Sequence, residues 1–311
     1  MFLKTQVIIN PESNKGKTGK RWKYIKEGLK SFLKEFKYEF TEKPLQAIEI
    51  SRVAIKEGME LIVGVGGDGT MNEIANGFYE NQKIVNPEVS LGIVPSGTGC
   101  DFTRSLNIPS KLKNALEVIT QAPSSLIDIG RAKFKSHSGK EEERYFVNVA
   151  DFGIGGEVVK KVSQNKMRRK ASSYMRCLIS TFITYKNKKL NIRIDDEELP
   201  LDEYMIGAIS NGRIFGKGMK IAPDARLDDG LFDVVLIKGM KMLEFFRNAW
   251  KIYLGTHLSH PKISLIRGRK IEAVAEDDES EVLIEIDGEQ LGKLPATFEI
   301  IPHNFLVKGY L

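Results

Sequence analysis

Short apolar runs alternate with amphipathic stretches over the first third of the chain. Three stretches are almost continuously apolar, residues 7–9, 61–65 and 89–94. Such runs are typical of strands buried on both faces of a parallel sheet. Apolar residues recur at helical spacing over about 19–36, 47–57, 71–79 and 111–121. Strands that alternate with helices predict an α/β domain with a parallel sheet.

The pattern changes after Asp128, where many strand-like stretches are joined by polar turns. These stretches are 144–150, 190–195, 204–211, 231–237 and 282–286. Two helical stretches, 173–185 and 242–254, interrupt them. The second carries four large apolar residues at helical spacing, Leu243, Phe246, Trp250 and Tyr253. That spacing predicts one buried face on this helix.

We therefore predict two domains. An α/β domain covers 1–129, and 302–311 returns to it as a last strand-like stretch. A β-rich, antiparallel, sandwich-like domain covers 130–301. The length of 311 residues, with 41% hydrophobic and 28% charged residues, suits two globular domains.

Several locations are disfavoured by the composition. No uncharged apolar run reaches the roughly 18 residues of a membrane span, and residues 1–11 are too short for a signal peptide. The two cysteines, Cys100 and Cys177, cannot make a disulfide framework. A reducing cytoplasm is the location that this predicts.

The strongest chemical signal is Gly66-Gly67-Asp68-Gly69-Thr70, between an apolar run and a helix. Glycines let backbone N–H groups approach phosphate oxygens, and the following helix N-terminus favours negative charge. The Asp68 carboxylate would repel phosphates unless a cation lies between them, so the motif predicts Mg²⁺. The alternative is a tight strand-to-helix turn capped by an Asp.

Two further loops follow apolar runs. The segment Pro95-Ser96-Gly97-Thr98-Gly99-Cys100-Asp101-Phe102 comes after the third run, and 10–17 comes after the first. Loops after parallel strands meet at the carboxyl edge of the sheet, where ligands bind in open α/β folds. Thr98 can donate to a phosphate or ribose, and Asp101 can hold a metal or water. The loop 10–17 is not a Walker A motif, because its spacing differs.

Near the C-terminus, Asp287-Gly288-Glu289 follows a strand. A hairpin turn is the simpler interpretation of this segment. A carboxylate near a phosphate site could instead accept the proton of an attacking hydroxyl.

These motifs, in this order, resemble the diacylglycerol kinase catalytic family, which includes sphingosine and ceramide kinases. The similarity covers nearly the whole chain, and soluble bacterial lipid kinases are the most similar in length and layout. The segment 95–102 distinguishes the chain from NAD kinases and phosphofructokinases, which share only the Gly-Gly-Asp-Gly loop. The resemblance implies an N-terminal nucleotide-binding domain, a C-terminal β-rich domain and a cleft between them.

The resemblance also implies roles for individual residues. Expected contacts to ATP are Asn10, Lys15, Thr41, Gly66, Gly67, Asp68, Gly69, Thr70, Asn72, Thr98 and Asp101. Glu289 matches the family's proton acceptor, and Asp68 joins it in catalysis. Asp101 and Asp128 match acidic positions linked to Asp68 around the catalytic metal. A second, structural Mg²⁺ is expected at Asp229 and the carbonyls of Arg226 and Leu231.

One position departs from the family, since Cys100 stands where members usually have Asn. A thiol is a poorer hydrogen-bonding group than an amide. The contact that the family's Asn makes is therefore not expected of Cys100, and this difference bears on the choice of substrate.

Positive charge is concentrated in 157–193, which holds 11 Lys or Arg and one acidic residue. The whole chain carries only +6. Apolar residues are interleaved with these cations, which fits docking on anionic lipid. A solvated helical face is the alternative.

The sequence thus predicts a cytoplasmic, peripherally membrane-associated kinase that uses ATP and Mg²⁺ to phosphorylate a lipid hydroxyl. Diacylglycerol, giving phosphatidic acid, is the family default. Phosphatidylglycerol, ceramide or sphingosine, an NAD kinase-like activity, and a catalytically silent nucleotide-binding regulator stay open, as does a homodimer. No zinc spacing, recognition helix or aromatic RNA-binding motif supports nucleic acid as a partner.

Overall fold

The computed structural model describes residues 3–164, 171–277 and 281–311. They divide into two compact units. Unit 1 is Met1–Ile129 with Leu227–Asp229 and Pro302–Leu311. Unit 2 is Gly130–Arg226 with Gly230–Ile301.

The helices and strands of the first 129 residues alternate. In chain order they are β1 Thr5–Ile9, α1 Ser13–Lys20, α2 Trp22–Leu33, β2 Lys37–Phe40, α3 Gln46–Lys56, β3 Leu61–Gly66, α4 Asp68–Gly77, β4 Tyr79–Glu80, β5 Lys83–Ile84, β6 Ser90–Pro95, α5 Asp101–Ser105 and α6 Leu112–Gln121.

The rest of the chain is richer in strands. Its elements are β7 Ser124–Ser136, β8 Glu141–Phe146, β9 Val149–Gly153, α7 Ile154–Gln164, α8 Ala171–Thr184, β10 Lys188–Ile194, β11 Glu197–Glu198, β12 Asp202–Ser210, β13 Phe232–Lys238, α9 Met242–Asn248, α10 Lys251–Leu254, β14 Ile263–Gly268, β15 Lys270–Ala275, β16 Leu283–Ile286 and β17 Glu289–Lys308.

Unit 1 is built on a parallel sheet in the order β2-β1-β3-β6, with the end of β17 beside β6. Strands β1 and β3 are buried over their whole length. Helix α2 packs on this sheet through Ile25, Leu29 and Leu33, which recur every four residues on one side of the helix. The continuous apolar runs thus became central parallel strands, as predicted.

The strands of unit 2 pair mainly in antiparallel fashion. Its strands pair in the order β14-β13-β12-β9-β16-β17, and β10 and β15 connect β12 to β17. Their inner side chains form a core around Phe146, Phe152, Phe232 and Phe298. The prediction of an α/β unit followed by a β-rich antiparallel unit is confirmed.

One predicted buried face is wrong. Leu243, Phe246, Trp250 and Tyr253 are all exposed. The neighbouring Phe245 and Ile252 pack on the core instead. The helical period was present, but both sides of this segment are apolar, so the spacing did not identify the side that is buried.

Within the described ranges, no helix is both long and apolar enough to cross a membrane.

A buried acidic pair lies in unit 2, where Asp151 of β9 and Glu285 of β16 are directly opposite each other. Asp151 is only 1% exposed. Burial, and then the neighbouring Glu285 carboxylate, raise the pKa of the Asp151 carboxyl well above its usual range. The folded protein therefore keeps a proton on Asp151 that the unfolded chain releases above about pH 4.

We expect the stability contributed by this protonated pair to be lost as pH rises through the folded-state pKa of Asp151. Asp151→Asn imitates the protonated acid, so it should raise the Tm at pH 8 by roughly 3 °C and change it little at pH 4.5. Thermal unfolding at the two pH values measures this. Asp233→Asn is the matched control, because Asp233 is also buried but accepts a hydrogen bond from Arg267 at 2.9 Å. This control variant should be destabilised at pH 8, and equal Tm shifts in both variants would contradict a protonated Asp151.

Candidate active site

Three loops leave the carboxyl ends of β1, β3 and β6, which are neighbours in the parallel sheet of unit 1. Asn10 connects the first loop to the second, because its Nδ2 donates to Thr70 Oγ1 at 3.1 Å. Its Oδ1 accepts the backbone N–H groups of Glu12 and Ser13 at 3.0 and 3.2 Å. Asn10 thus fixes the loop that carries Lys15.

Hydroxyl groups connect the first loop to the third. The hydroxyl oxygens of Ser13 and Thr18 lie 2.6 Å apart, and each lies 3.0 Å from the carbonyl oxygen of Ser96. Thr18 also lies 2.6 Å from the Ser96 hydroxyl. Sequence reasoning missed Ser13 and Thr18, since polar residues in a loop carry no signal of such a network.

Between these anchors, Asn14, Lys15 and Gly16 take left-handed backbone conformations, with φ of 52°, 60° and 76°. A non-glycine residue pays about 1–2 kcal/mol for this conformation. Such strain persists where surrounding contacts impose it, and it is concentrated at functional sites. The exposed Lys15 is therefore held on a strained turn at the loop edge.

The second and third loops touch backbone to backbone at Gly67 and Gly97. A Cβ on Gly97 would lie 2.4 Å from the Cα of Gly67, closer than real contacts allow. Packing therefore requires glycine at position 97 and favours it at position 67. This close approach was not predicted from the motifs.

Asp68 opens helix α4, and its carboxylate is fixed by the third loop. Its Oδ1 accepts the backbone N–H of Phe102 at 3.1 Å. Because Asp68 is the first residue of α4, its carboxylate and the backbone N–H groups of the helix N-terminus belong to the same turn of the chain. A helix N-terminus favours a bound anion, and a carboxylate beside it suits a cation bridging to that anion.

The other predicted ATP contacts differ in accessibility. Two of them, Thr98 and Lys15, are exposed. Four more are partly exposed, namely Asn10, Gly67, Asp68 and Gly69, as is Cys100 beside Asp101. Thr41, Thr70 and Asn72 are buried, as is Gly66. The N–H of Thr41 donates to the Ile9 carbonyl at 2.8 Å. The predicted contacts thus include both buried and accessible residues, and their contact with ATP stays a prediction.

The carboxylates predicted around the catalytic metal differ in their surroundings. No group of three or more His, Cys, Asp or Glu side chains suited to a metal occurs in the part of the chain described. Asp101 is buried 3.7 Å from the guanidinium of Arg104. Asp128 is fully buried and accepts the N–H of His303 at 2.7 Å.

Of the three carboxylates predicted around the catalytic metal, Asp68, Asp101 and Asp128, Asp68 is the one that is partly exposed. Mg²⁺ is commonly bound by one or two carboxylates together with substrate phosphates and water. The donor set here fits Mg²⁺ that arrives with ATP. The second Mg²⁺ at Arg226, Asp229 and Leu231 stays a prediction.

Asp287 and Gly288 form a two-residue hairpin turn between β16 and β17, with φ of 47° and 90°. This is the backbone of an Asp-Gly type I′ turn. The Asp287 carboxylate is buried and accepts three backbone N–H groups, from Val147, Asn148 and Val149 at 2.9, 3.0 and 3.1 Å. Asp287 therefore connects the β16–β17 turn to residues 147–149, which follow β8 and begin β9.

Glu289 differs from Asp287 although it lies only two residues away. Its side chain is 33% exposed, and its Oε2 lies 3.7 Å from Arg144. A partly exposed carboxylate oriented by a guanidinium can accept a proton from a substrate. Arg144 was not identified from the sequence, since a single Arg in a strand gives no functional signal.

Cys100 is in a left-handed conformation, with φ 54° and ψ 45°. Its Sγ accepts the N–H of Gly97 at 3.2 Å. Burial, and then the charge of Asp68, raise the pKa of the Cys100 thiol to about 11. The thiol is therefore protonated at neutral pH and is a weak nucleophile.

We expect Cys100→Asn to stabilise the protein by about 0.5–1 kcal/mol, because Asn tolerates the left-handed conformation better than Cys. Cys100→Val is the control, and its branched side chain should destabilise at the same φ. Chemical denaturation of the three proteins measures the differences. Destabilisation of the Asn variant would contradict this expectation, because it would show that the Gly97–Cys100 hydrogen bond outweighs the backbone conformation.

Two family models match the chain. The diacylglycerol kinase catalytic domain matches residues 4–132. The YegS C-terminal NAD kinase beta sandwich-like domain matches residues 148–308, which is more than half of the chain.

Curated relatives and solved structures agree with these matches. A diacylglycerol kinase of Staphylococcus saprophyticus is 27% identical over 307 residues, covering 96% of this chain and 92% of the relative. One of Staphylococcus aureus is 28% identical over 307 residues, with 96% and 90% covered. The crystal structure of a diacylglycerol kinase from Bacillus anthracis covers 99% of this chain and 97% of its own, with TM-score 0.71 and 22% identity. Yeast NADH kinase has TM-score 0.57 at 13% identity, covering 100% of this chain and 84% of its own. These two structures show a common fold.

Proposed function

The chain belongs to the diacylglycerol kinase family, and from that membership we propose that it transfers the γ-phosphoryl group of ATP to the hydroxyl of diacylglycerol, forming phosphatidic acid and ADP. That it is a kinase follows from the family. The choice of diacylglycerol among lipid alcohols is our proposal. The relatives named diacylglycerol kinase, which are similar over nearly their whole length, support it.

The observation that carries the proposal is the fixed position of Asp68. Its carboxylate is held by the Phe102 N–H at the start of α4, where the Gly67 and Gly97 loops touch. Phosphoryl transfer needs positioning and charge stabilisation more than covalent chemistry. Backbone N–H groups of the 66–70 loop would bind phosphate oxygens, and Lys15 would add positive charge.

Asp68 would hold Mg²⁺, which when bound neutralises phosphate charge. Glu289 would accept the proton that the lipid hydroxyl loses as its oxygen bonds to the γ-phosphorus, while the bond to ADP breaks. Arg144 would keep the Glu289 carboxylate oriented at 3.7 Å. Asn10 and the Ser13–Thr18–Ser96 hydroxyls would hold the loops without taking part in the reaction.

The composition of the basic segment 157–193 suggested membrane binding, and the described part of the segment gives weaker support for it. Lys166, Arg168, Arg169 and Lys170 lie outside the described residues. Several other cations of the segment pair with acidic residues elsewhere in unit 2, among them Lys160 with Glu281 at 4.0 Å and Lys189 with Glu276 at 3.5 Å. We propose that the enzyme visits an anionic membrane surface, where these pairs leave only part of the charge for lipid headgroups.

A lipid panel tests the choice of substrate. Diacylglycerol, phosphatidylglycerol, ceramide and sphingosine are presented separately in mixed micelles with ATP and Mg²⁺. We expect kcat/KM to be highest for diacylglycerol. A higher value for any of the other three would overturn the proposed substrate while leaving the kinase assignment intact.

A further inference from the structure

The helical segment α9–α10 presents a row of large apolar side chains to solvent. We call Leu243, Phe246, Trp250, Tyr253 and Leu254 the α9–α10 face. These side chains are 71%, 41%, 56%, 48% and 60% exposed. Their positions follow one side of a helix, at intervals of three and four residues. A row of exposed residues this large marks an interaction surface rather than scattered surface apolar groups.

The opposite side of the segment anchors it to unit 2, so this face cannot turn inward without breaking packing. The ring centroids of Phe245 and of Phe182 in α8 lie 4.4 Å apart. Phe245 and Ile252 both pack on the core that contains Val235 and Ile237. The Ile252 carbonyl also accepts the N–H of Lys220 at 2.9 Å. The exposed face is therefore held outward by a fixed inner face.

Positive charge accompanies the apolar row. Lys241 and Arg247 are exposed, and Lys251 is half-buried. Glu244 is the only acidic residue between 241 and 254. It is paired with Lys262 at 2.8 Å and lies 3.6 Å from His260. The three cations are thus unbalanced within the segment.

We propose that the α9–α10 face docks on an anionic bilayer, with Leu243, Trp250 and Leu254 inserted at the headgroup boundary. Exposed apolar side chains beside Lys and Arg are the composition of helices that lie in a membrane interface. Trp and Tyr suit that depth, since their rings combine an apolar body with a polar tip. Lys241, Arg247 and Lys251 would contact anionic headgroups.

Charge favours a lipid surface over a second copy of the chain. A twofold interface places the same patch on both partners. The cations of one copy, Lys241, Arg247 and Lys251, would then be brought towards the same three cations of the other copy, and like charges repel. Anionic lipid instead neutralises all three.

This inference names the membrane-contacting surface of the proposed lipid kinase, and to that extent it rests on the proposed function. Its tests therefore include binding measurements that need neither ATP nor turnover.

The first test uses Trp250 as a probe. The chain has two tryptophans, and Trp22 packs against Tyr38 and Phe40 in unit 1. Trp22→Phe leaves Trp250 as the only indole. On adding vesicles of equimolar phosphatidylglycerol and phosphatidylcholine, its emission should shift to the blue and be quenched by brominated acyl chains. Unchanged emission of Trp250 on vesicles that bind the protein would overturn the proposal.

The second test compares two triple variants in vesicle sedimentation. Leu243→Gln, Trp250→Gln and Leu254→Gln together should weaken binding by roughly tenfold or more, since apolar burial drives interfacial binding. The control combines Tyr24→Gln, Val53→Gln and Leu201→Gln, which are 57%, 48% and 46% exposed on other surfaces. The control should bind vesicles and phosphorylate lipid like the wild type. Thermal unfolding checks that each variant is folded.

Activity separates failure of this inference from failure of the proposed function. The ratio of turnover on diacylglycerol in vesicles to turnover on monomeric dioctanoylglycerol should fall in the first variant only. Equal vesicle binding by both variants would overturn the docking surface, whatever the enzyme phosphorylates. If the first variant instead converts a dimer to a monomer without losing vesicle binding, the face binds a second copy and the proposal is wrong. Absence of activity on every lipid would refute the proposed lipid kinase function. The vesicle-binding data would still show whether the α9–α10 face docks on the bilayer.

Discussion

Asp68→Asn should lower kcat/KM by about 10³-fold or more while the protein stays folded. The amide keeps an oxygen that can accept the Phe102 N–H, which the carboxylate accepts at 3.1 Å. The substitution removes only the negative charge, so the loop should keep its shape. Without that charge the cation that neutralises the phosphates is held poorly, and metal-assisted charge stabilisation is worth several kcal/mol. Steady-state kinetics at varied Mg²⁺ concentration measures the loss.

The matched control is Glu12→Gln, which removes an exposed carboxylate from the neighbouring loop. Its kinetics should stay within about twofold of the wild type, because an exposed charge is screened by solvent. Thermal unfolding of both variants excludes loss of structure as the cause. Wild-type turnover in a folded Asp68→Asn protein would remove Asp68 from the phosphate site.

Glu289→Gln should lower kcat by about 10²–10⁴-fold and change the KM for ATP little. Gln has nearly the same size as Glu but cannot accept the proton, and general bases contribute rate factors of this order. Glu289 is one-third exposed beside Arg144, so the substitution should cost little stability. Kinetics with lipid saturating and ATP varied, together with ATP binding in the absence of lipid, separate the two effects. Loss of ATP binding would reassign Glu289 to the nucleotide.

Asp287→Asn is the comparison variant for Glu289. Asp287 accepts three backbone N–H groups, and an Asn Nδ2 would face one of them. Hydrogen bonds to a charged group are worth about 1.5–3 kcal/mol each, so this variant should lose stability by a similar amount. Glu289→Gln should therefore lower kcat without lowering the stability of the fold. Asp287→Asn should lower the stability first.

The fold could be predicted where one physical signal dominated. Residues 61–65 are continuously apolar because β3 is buried on both faces, and a glycine loop followed them directly. Parallel strands bring their carboxyl ends to one edge, which is why three loops far apart in sequence could be grouped. The Asp287-Gly288 pair was recognised as a turn because Asp-Gly is a strong hairpin signal.

The remaining features depend on contacts that no local pattern encodes. The requirement for glycine at Gly97 arises from Gly67, thirty residues earlier in the chain. The Ser13–Thr18–Ser96 network likewise needs the loops to be placed first. Asp151 resembles any strand Asp until Glu285 is set opposite it. At 242–254 the helical spacing of apolar residues was predicted correctly. Because two sides of this segment are apolar, the spacing did not show which side is buried.

The most direct measurement of the central claim is transfer of label from [γ-³²P]ATP. Wild type and Asp68→Asn are each incubated with dioctanoylglycerol and NAD together, with Mg²⁺ present. We expect label from the wild type in the organic phase as lipid phosphate, and almost none from Asp68→Asn. Label in the aqueous phase on NAD, or no transfer to any acceptor by the folded wild type, would contradict the assignment as a lipid kinase.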